Sequence, residues 1–146
     1  MMARLRPGWL VAFCAAVLVV SAWLPWLTTT VNGGGRASAI GGTVGSLVLP
    51  ARFDLGQLIV LLSSTLLVAG AMSARGLSVR WASVAALLIS LLIAVLTGWY
   101  YYLNVSASVS AGYGWYIGAA GALGAVGFSV WALADTARSA RVRARR

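Results

Sequence analysis

Four long apolar segments dominate the chain and are separated by shorter polar or charged stretches. They run over about residues 8–27, 55–74, 81–102 and 113–133, and none of them contains a charged residue. A helix of about 20 residues is about 30 Å long, which is the thickness of a hydrocarbon core. The pattern therefore predicts an all-α integral membrane protein whose single domain is a bundle of four transmembrane helices.

The first apolar segment follows a basic leader with Arg4 and Arg6, and it admits two interpretations. A secretory signal peptide has the same order of regions, and Val20-Ser21-Ala22 resembles its cleavage site. The apolar run continues to Leu27, however, which favours a retained first helix. It ends in Trp23-Leu24-Pro25-Trp26, and interfacial tryptophans of this kind are typical of an exit from a bilayer.

Residues 28–53 form the longest break in the apolar pattern, and two stretches within them have strand propensity. Thr28–Val31 and Arg36–Ile40 flank Asn32-Gly33-Gly34-Gly35. Threonine and valine favour extended structure, and Asn-Gly supplies the positive φ angles that a tight turn needs. The pattern predicts a small β-hairpin in this first outer loop, and a flexible glycine-rich loop is the alternative.

The second apolar segment begins with a helix-cap signal. Asp54 followed three residues later by Gln57 matches a capping box, in which the carboxylate accepts from free backbone amides and the glutamine reaches back. The carboxylate would also lie at the positive end of the helix dipole. This cap accounts for Asp54, and the alternatives are an ion pair with Arg36 or Arg52 and a site for a cationic ligand.

Small residues recur at three- and four-residue intervals in the last two predicted helices. In the third helix they are Ala82, Ala86, Ser90, Ala94 and Gly98, and in the fourth they are Gly114, Gly118, Gly121, Gly124 and Gly127. Residues at this spacing share a helix face, and small side chains let two backbones approach closely in lipid. We expect these faces to pack against other helices of the chain, or else against a second copy or another membrane protein.

The net charge of +9 comes from eleven arginines and two aspartates. The arginines lie at the ends of the apolar segments and in the tail, so they indicate topology determinants and argue against a nucleic acid partner. Nine lie in the leader, in the 75–80 turn and in the tail, whereas only Arg36 and Arg52 lie in the other two loops. Because cytoplasmic loops carry the excess of basic residues, both termini are predicted to be cytoplasmic.

The tail, residues 134–146, is a predicted membrane-surface segment. Its basic residues are Arg138, Arg141, Arg143, Arg145 and Arg146. Each arginine near an anionic leaflet contributes about 1 kcal/mol of binding free energy. Asp135 and Arg138 have the spacing of a helical ion pair. The use of arginine alone among the basic residues, with abundant Ala, Gly and Val, indicates a GC-rich bacterium, and hence the bacterial plasma (inner) membrane.

Aromatic residues concentrate at the predicted outer ends of the four spans, and we call this set the aromatic rim. Its members are Trp23, Trp26, Trp99, Tyr100, Tyr113, Trp115 and Tyr116, with Phe53, Tyr101 and Tyr102 beside them, whereas Trp9, Trp81 and Trp131 mark the inner ends. An aromatic belt is expected at both membrane surfaces, so the excess on one side singles that side out. The rim could receive a lipid, a glycan or a partner's helix, and anchoring alone is the alternative.

The residue inventory argues against catalysis. The sequence has no His, Glu or Lys, and its two aspartates are predicted to lie on opposite sides of the membrane. Cys14 lies inside the first apolar segment, far from any base. General acid–base chemistry and metal binding both need such groups close together. We therefore predict no enzyme activity, no metal and no cofactor.

The stretch Ser21–Trp26, with Trp23 and Pro25-Trp26, resembles the element that ends the first helix of small four-span membrane proteins of actinobacteria, including those associated with tryptophan operons. The layout is also similar to that of claudins, with a long first outer loop and a short second one, although the paired loop cysteines of claudins are missing. Neither resemblance assigns a functional residue.

These features favour a noncatalytic accessory or scaffold protein. Its expected partners are the lipid bilayer and another membrane protein or further copies of itself. A small transporter or lipid-handling protein is the alternative, although coupled transport usually places ionisable groups at mid-membrane, and the predicted spans contain none.

Overall fold

The computed structural model describes residues 6–47 and 55–146, which form four α-helices and a small antiparallel sheet. The helices are α1 (Pro7–Ser21), α2 (Leu55–Ala74), α3 (Val79–Asn104) and α4 (Tyr113–Ala144). The strands are β1 (Pro25–Thr29), β2 (Gly35–Ser38), β3 (Thr43–Gly45) and β4 (Val109–Ala111). The predicted helical fold with a small sheet is confirmed.

The four helices pack in a ring in chain order. α2 and α4 each contact both α1 and α3. The sheet lies where α1 and α3 end and where α2 and α4 begin, and we call this the sheet end. The opposite end, formed by residues 6–9, 73–80 and 132–146, is called the arginine end. α4 is the longest helix and continues beyond its neighbours there.

Three of the helices, α2, α3 and α4, are long and apolar enough to cross a membrane. Only 33% of the most apolar window of each is buried inside the bundle. Large apolar side chains such as Leu61, Leu88 and Leu123 are exposed on their outward faces. A helix that is apolar on all sides is characteristic of a membrane-embedded helix, so this pattern indicates a membrane protein.

α1 is shorter than the apolar segment that predicted it. The helix ends at Ser21, and the chain turns through Leu24, whose amide donates to the Ser21 carbonyl. Pro25 then begins β1. A proline disfavours helical geometry in the residue before it and cannot donate a helical hydrogen bond. The prediction that the first helix reaches Leu27 is therefore wrong.

The sheet has the strand order β3-β2-β1-β4, and every pairing is antiparallel. β1 and β2 form the predicted hairpin, with Thr28 opposite Arg36. The turn between them contains Asn32, whose φ of 50° is in the left-handed region that asparagine tolerates. β4 comes from the connection between α3 and α4, where no strand was predicted, and pairs with the other edge of β1.

The small-residue face of α4 packs against α1 and the start of β1. A Cβ atom added to Gly118 would lie 2.7 Å from the Trp26 ring and 2.9 Å from the Ser21 hydroxyl. A Cβ atom on Gly114 would lie 2.8 Å from the Leu24 side chain, and one on Gly121 would lie 3.2 Å from the Leu18 side chain. Gly114, Gly118 and Gly121 are therefore occupied by contacts within the chain, whereas Gly127 on the same helix is open.

The burial of the small residues of α3 decreases along the helix. Ala82, Ala86 and Ser90 are buried, Ala94 is half-buried, and Gly98 is exposed with open space around it. A helix has 3.6 residues per turn, so a stripe at four-residue spacing drifts out of the interface. Only the first three of the five predicted packing residues lie fully in the bundle.

A close helix crossing that was not predicted joins α1 to α2. A Cβ atom on Gly8 would lie 2.6 Å from the Ala74 nitrogen, and one on Gly70 would lie 2.8 Å from the Ala12 nitrogen. Gly8 and Ala12 thus face Gly70 and Ala74 as two small-xxx-small pairs, which allow the backbones to touch. The signal is present in the sequence, since Gly8, Ala12 and Ala16 recur at four-residue spacing in α1 and Gly70 and Ala74 do so in α2.

We expect Gly118→Ala to lower the free energy of unfolding by about 1–3 kcal/mol, because the new methyl group would displace both Trp26 and Ser21. The matched control is Gly127→Ala on the same helix, where a Cβ meets nothing within 4 Å. It should leave stability unchanged or raise it by up to about 1 kcal/mol through helix propensity. Unfolding titrations in neutral detergent measure both, and equal changes would contradict the packing described here.

Candidate functional site

Strands β1 to β4 join the α1–α2 connection to the α3–α4 connection at the sheet end. We call this sheet, together with the aromatic rim beside it, the platform. The Gly112 amide donates to the Trp26 carbonyl at 2.7 Å. The Thr29 hydroxyl donates to the Ser108 carbonyl at 2.6 Å, and the Thr28 hydroxyl lies 3.1 Å from that of Ser110. The connection between α3 and α4 is therefore fastened to the segment that follows α1.

Trp26 holds this platform on the bundle. Its side chain is 0% exposed, and its indole nitrogen donates to the Ser21 carbonyl at 2.8 Å. Its ring meets that of Tyr100 edge-on, with centroids 5.1 Å apart, and lies against Gly118. A single side chain of β1 thus contacts α1, α3 and α4. Edge-to-face aromatic pairs of this kind contribute about 0.5–1.5 kcal/mol beyond their buried area.

Trp26 and Tyr100 were predicted to belong to the aromatic rim, but both are buried, Tyr100 to 1% exposure, so neither is available to meet a lipid or a partner. The strand pairing explains the position of Trp26. The register of β1 against β2 shifts between Pro25 and Leu27, as in a β-bulge. A bulge breaks the alternation of side chains, so Trp26 and Leu27 are both buried.

The other predicted members of the aromatic rim lie at the surface of the sheet end. Trp23, Trp99, Tyr113 and Tyr116 are exposed and Trp115 is half-buried. Tyr102, which was noted beside them, is 82% exposed. Tyr101, Trp115 and Tyr116 form a continuous group, with ring centroids 4.8 Å and 5.2 Å apart.

Trp115 is held in place by a hydrogen bond. Its indole nitrogen donates to the Thr97 carbonyl at 3.2 Å, across the α3–α4 interface. The ring is therefore fixed in orientation while Tyr101 and Tyr116 beside it remain accessible. A fixed aromatic surface of this kind loses little conformational entropy when another molecule covers it.

The platform also exposes a sheet edge. The strand order places β3 and β4 at the two edges, and all three residues of β3 are exposed. Val44, at the centre of β3, is 67% exposed. An edge strand has unpaired amide and carbonyl groups along one side, which another extended chain can use.

The predicted helix cap is described only in part. Asp54 lies outside the described residues, so its capping role stays a prediction. The side-chain nitrogen of Gln57 donates to the Ile40 carbonyl at 3.3 Å, and Gly56 lies against the Ala39 carbonyl. The first turn of α2 is therefore fastened to the chain that follows β2.

At the arginine end, the tail is a continuation of α4. The helix runs to Ala144, and the five tail arginines are exposed. The predicted ion pair between Asp135 and Arg138 is not formed, and Asp135 makes no ion pair with any described residue. Asp135 instead lies in the wall of a cavity at this end of the bundle.

The side chains that could act as nucleophiles or metal ligands do not cluster in the part of the chain that the structure describes. Cys14 is buried on α1, where its sulfur lies 3.0 Å from the position of a Cβ on Gly124. Within residues 6–47 and 55–146, no three His, Cys, Asp or Glu residues lie close enough to hold a metal ion.

Comparisons of the chain with protein-family models, with curated proteins and with solved structures found no match. The geometry of the two ends of the bundle therefore carries the functional argument.

Replacing Trp26 by Phe should lower the free energy of unfolding by about 1–3 kcal/mol, because the buried Ser21 carbonyl loses its indole donor. Trp23→Phe is the matched control, since Trp23 is 71% exposed, and its effect should stay within about 0.5 kcal/mol. Unfolding in neutral detergent measures the two variants. A larger effect at Trp23 than at Trp26 would contradict the anchoring role of Trp26.

Proposed function

We propose that this chain is a noncatalytic accessory or scaffold protein of a bacterial plasma (inner) membrane, with four spans and both termini in the cytoplasm. Its partner is another membrane protein, which it binds at the sheet end. The observation that carries the proposal is the platform itself, which is rigidly fastened to the bundle and yet exposes aromatic rings and a strand edge.

Four spans are supported by the position of α1. This helix has 15 residues, but it lies between α2 and α4 and exposes Phe13 and Val20 on its outward face. The outward face of α1 therefore has the same surroundings as the outward faces of α2 and α4. A short helix is accommodated by local thinning of the bilayer or by flanking residues that reach the interface.

The orientation is supported by the distribution of arginines between the two ends. Arg6, Arg75, Arg80 and the five tail arginines lie at the arginine end, whereas Arg36 is the single arginine that the structure describes at the sheet end. The excess of arginine marks the cytoplasmic side. The platform then faces away from the cytoplasm.

Partner binding is supported by what the platform exposes. Tyr and Trp are enriched in protein interfaces, because each offers apolar area with a polar edge. Trp23 and Tyr102 project from the platform, and Gly98 beside Trp99 leaves space for the backbone of a partner's helix. The small-residue face of α4 is occupied by α1, so we assign the contact to the sheet end.

The absence of catalysis is proposed from the residue inventory, since the sequence lacks His, Glu and Lys. The alternative function, a small transporter or lipid-handling protein, has one observation in its favour. This is a cavity at the arginine end of the bundle.

The proposed orientation predicts the labelling of two cysteine variants in a Cys14→Ala background. Ser108→Cys, at the sheet end, should react with a membrane-impermeant maleimide in intact spheroplasts. Ala137→Cys, on the exposed part of α4 at the other end, should react only after permeabilisation. The reverse pattern would overturn the orientation.

Partner binding is tested by photocrosslinking in living cells. A photoreactive amino acid at Tyr102 or at Val44 should give a discrete protein adduct of fixed mass. The matched control is Leu88, which is similarly exposed but lies on the apolar outward face of α3, and it should give no such adduct.

The mass of the adduct identifies the class of partner. An adduct of a different protein that is lost when Trp23 is replaced by Ala supports the accessory role, whereas an adduct of twice the chain's mass identifies self-association. The same adducts at Leu88, or none at either platform position, would contradict the proposal.

A further inference from the structure

A cavity of about 700 Å³ opens at the arginine end of the bundle. Its wall is formed by the start of α1, the turn between α2 and α3, the start of α3 and the last part of α4. The polar side chains that line it include Arg6, Ser73, Arg80, Asp135, Thr136 and Arg143.

The cavity exists because α4 is longer than its neighbours. Asp135, Ser139 and Arg143 recur at four-residue spacing, as do Ala132, Thr136 and Ala140, and all six line the cavity. Residues at this spacing share one helix face. This face of α4 therefore forms one continuous side of the cavity and extends beyond the last residue of α2.

The cavity has a positive net charge, because three arginines and one aspartate line it. Arg6 is held by a hydrogen bond of 2.9 Å from its guanidinium to the Ala74 carbonyl, which caps the end of α2. Arg80 and Arg143 make no side-chain hydrogen bond or ion pair with any described residue. Their guanidinium donors are therefore available to an anion.

The helix ends do not change this charge. α1 and α3 begin at the cavity wall, whereas α2 and α4 have their last turns there. The N-terminus of a helix carries a partial positive charge and the C-terminus a partial negative charge. The two pairs of helix ends oppose each other, so the positive charge of the cavity comes from the arginines.

Three exposed tryptophans place the cavity at the level of lipid headgroups. Trp9, Trp81 and Trp131 each adjoin a lining residue in the sequence, namely Gly8, Arg80 and Ala132. Exposed tryptophans on membrane helices sit at the boundary between hydrocarbon and headgroups. A positive cavity at that depth meets the phosphate layer of the bilayer.

We propose that this cavity binds a phosphate group, carried by an anionic phospholipid of the surrounding membrane. Arginine is the residue best suited to this role, because its planar donors bind two phosphate oxygens at once. The inference rests on the membrane location proposed above but not on the accessory role. Lipid binding and partner crosslinking can each fail without the other.

The test uses the purified full chain in neutral detergent, where no charged surface attracts the tail. Binding of phosphatidylglycerol and of phosphatidylcholine is measured by native mass spectrometry. The double variant Arg80→Gln/Arg143→Gln should weaken phosphatidylglycerol binding by about 25-fold, because each arginine contributes about fivefold. Phosphatidylcholine should bind weakly to both proteins.

The matched control is Arg138→Gln/Arg141→Gln, which removes the same charge from parts of α4 that do not line the cavity. It should change phosphatidylglycerol binding by less than about twofold. Equal losses in the two double variants would show a general attraction to the basic tail and would overturn the proposal.

Asp135→Asn keeps the inference testable if the arginine variants fail to fold. Removing the one acidic group of the wall should tighten phosphatidylglycerol binding by about fivefold, and an unchanged or weaker affinity would contradict the proposal.

Inorganic phosphate and glycerol phosphate are added as competitors at millimolar concentration. If either binds more tightly than phosphatidylglycerol, the ligand is a soluble phosphate and the lipid source is wrong; weaker competition agrees with the proposal.

Discussion

The structure depends on the insertion of Trp26 between the ends of three helices. Its indole nitrogen donates to Ser21 at the end of α1, its ring meets Tyr100 on α3, and the absence of a side chain at Gly118 makes room for it on α4. Its backbone carbonyl also accepts from Gly112, at the start of α4. Because one residue makes all these contacts, Trp26 joins the sheet to three helices, and the hydrogen bond from Gln57 to the Ile40 carbonyl joins the chain after the sheet strand β2 to α2.

This joint makes the two ends of the bundle different. The sheet end is closed, since strands from both connections pair with β1 and cover the helix ends. At the arginine end α4 alone extends beyond the ring and leaves an open, positively charged cavity beside it. The two surfaces suit different ligands. A rigid aromatic platform favours contact with a protein, and a ring of arginines favours an anion.

The small residues have a structural role that limits where a partner can bind. Gly8 and Gly70 bring α1 and α2 into backbone contact, and Gly118 makes room on α4 for the side chains of Trp26 and Ser21. Lipid tails are as apolar as leucine, so helices in a bilayer gain little from burying leucine and much from close packing. The faces that would otherwise support self-association are thus occupied within the chain, whereas Gly98 and Gly127 remain open.

The sequence by itself determined the four helices, apart from the end of α1, together with the hairpin between β1 and β2 and the separation of charge between the ends. Each follows from local pattern, since apolar length, turn residues and arginine position need no knowledge of distant contacts. It did not reveal the pairing of β4 with β1, the burial of Trp26 and Tyr100, or the cavity. Trp23 and Trp26 show the reason: they have similar local surroundings in the sequence, but one is 71% exposed and the other 0%. Only contacts between residues far apart in the chain, with Tyr100 and Gly118, decide which of the two enters the core.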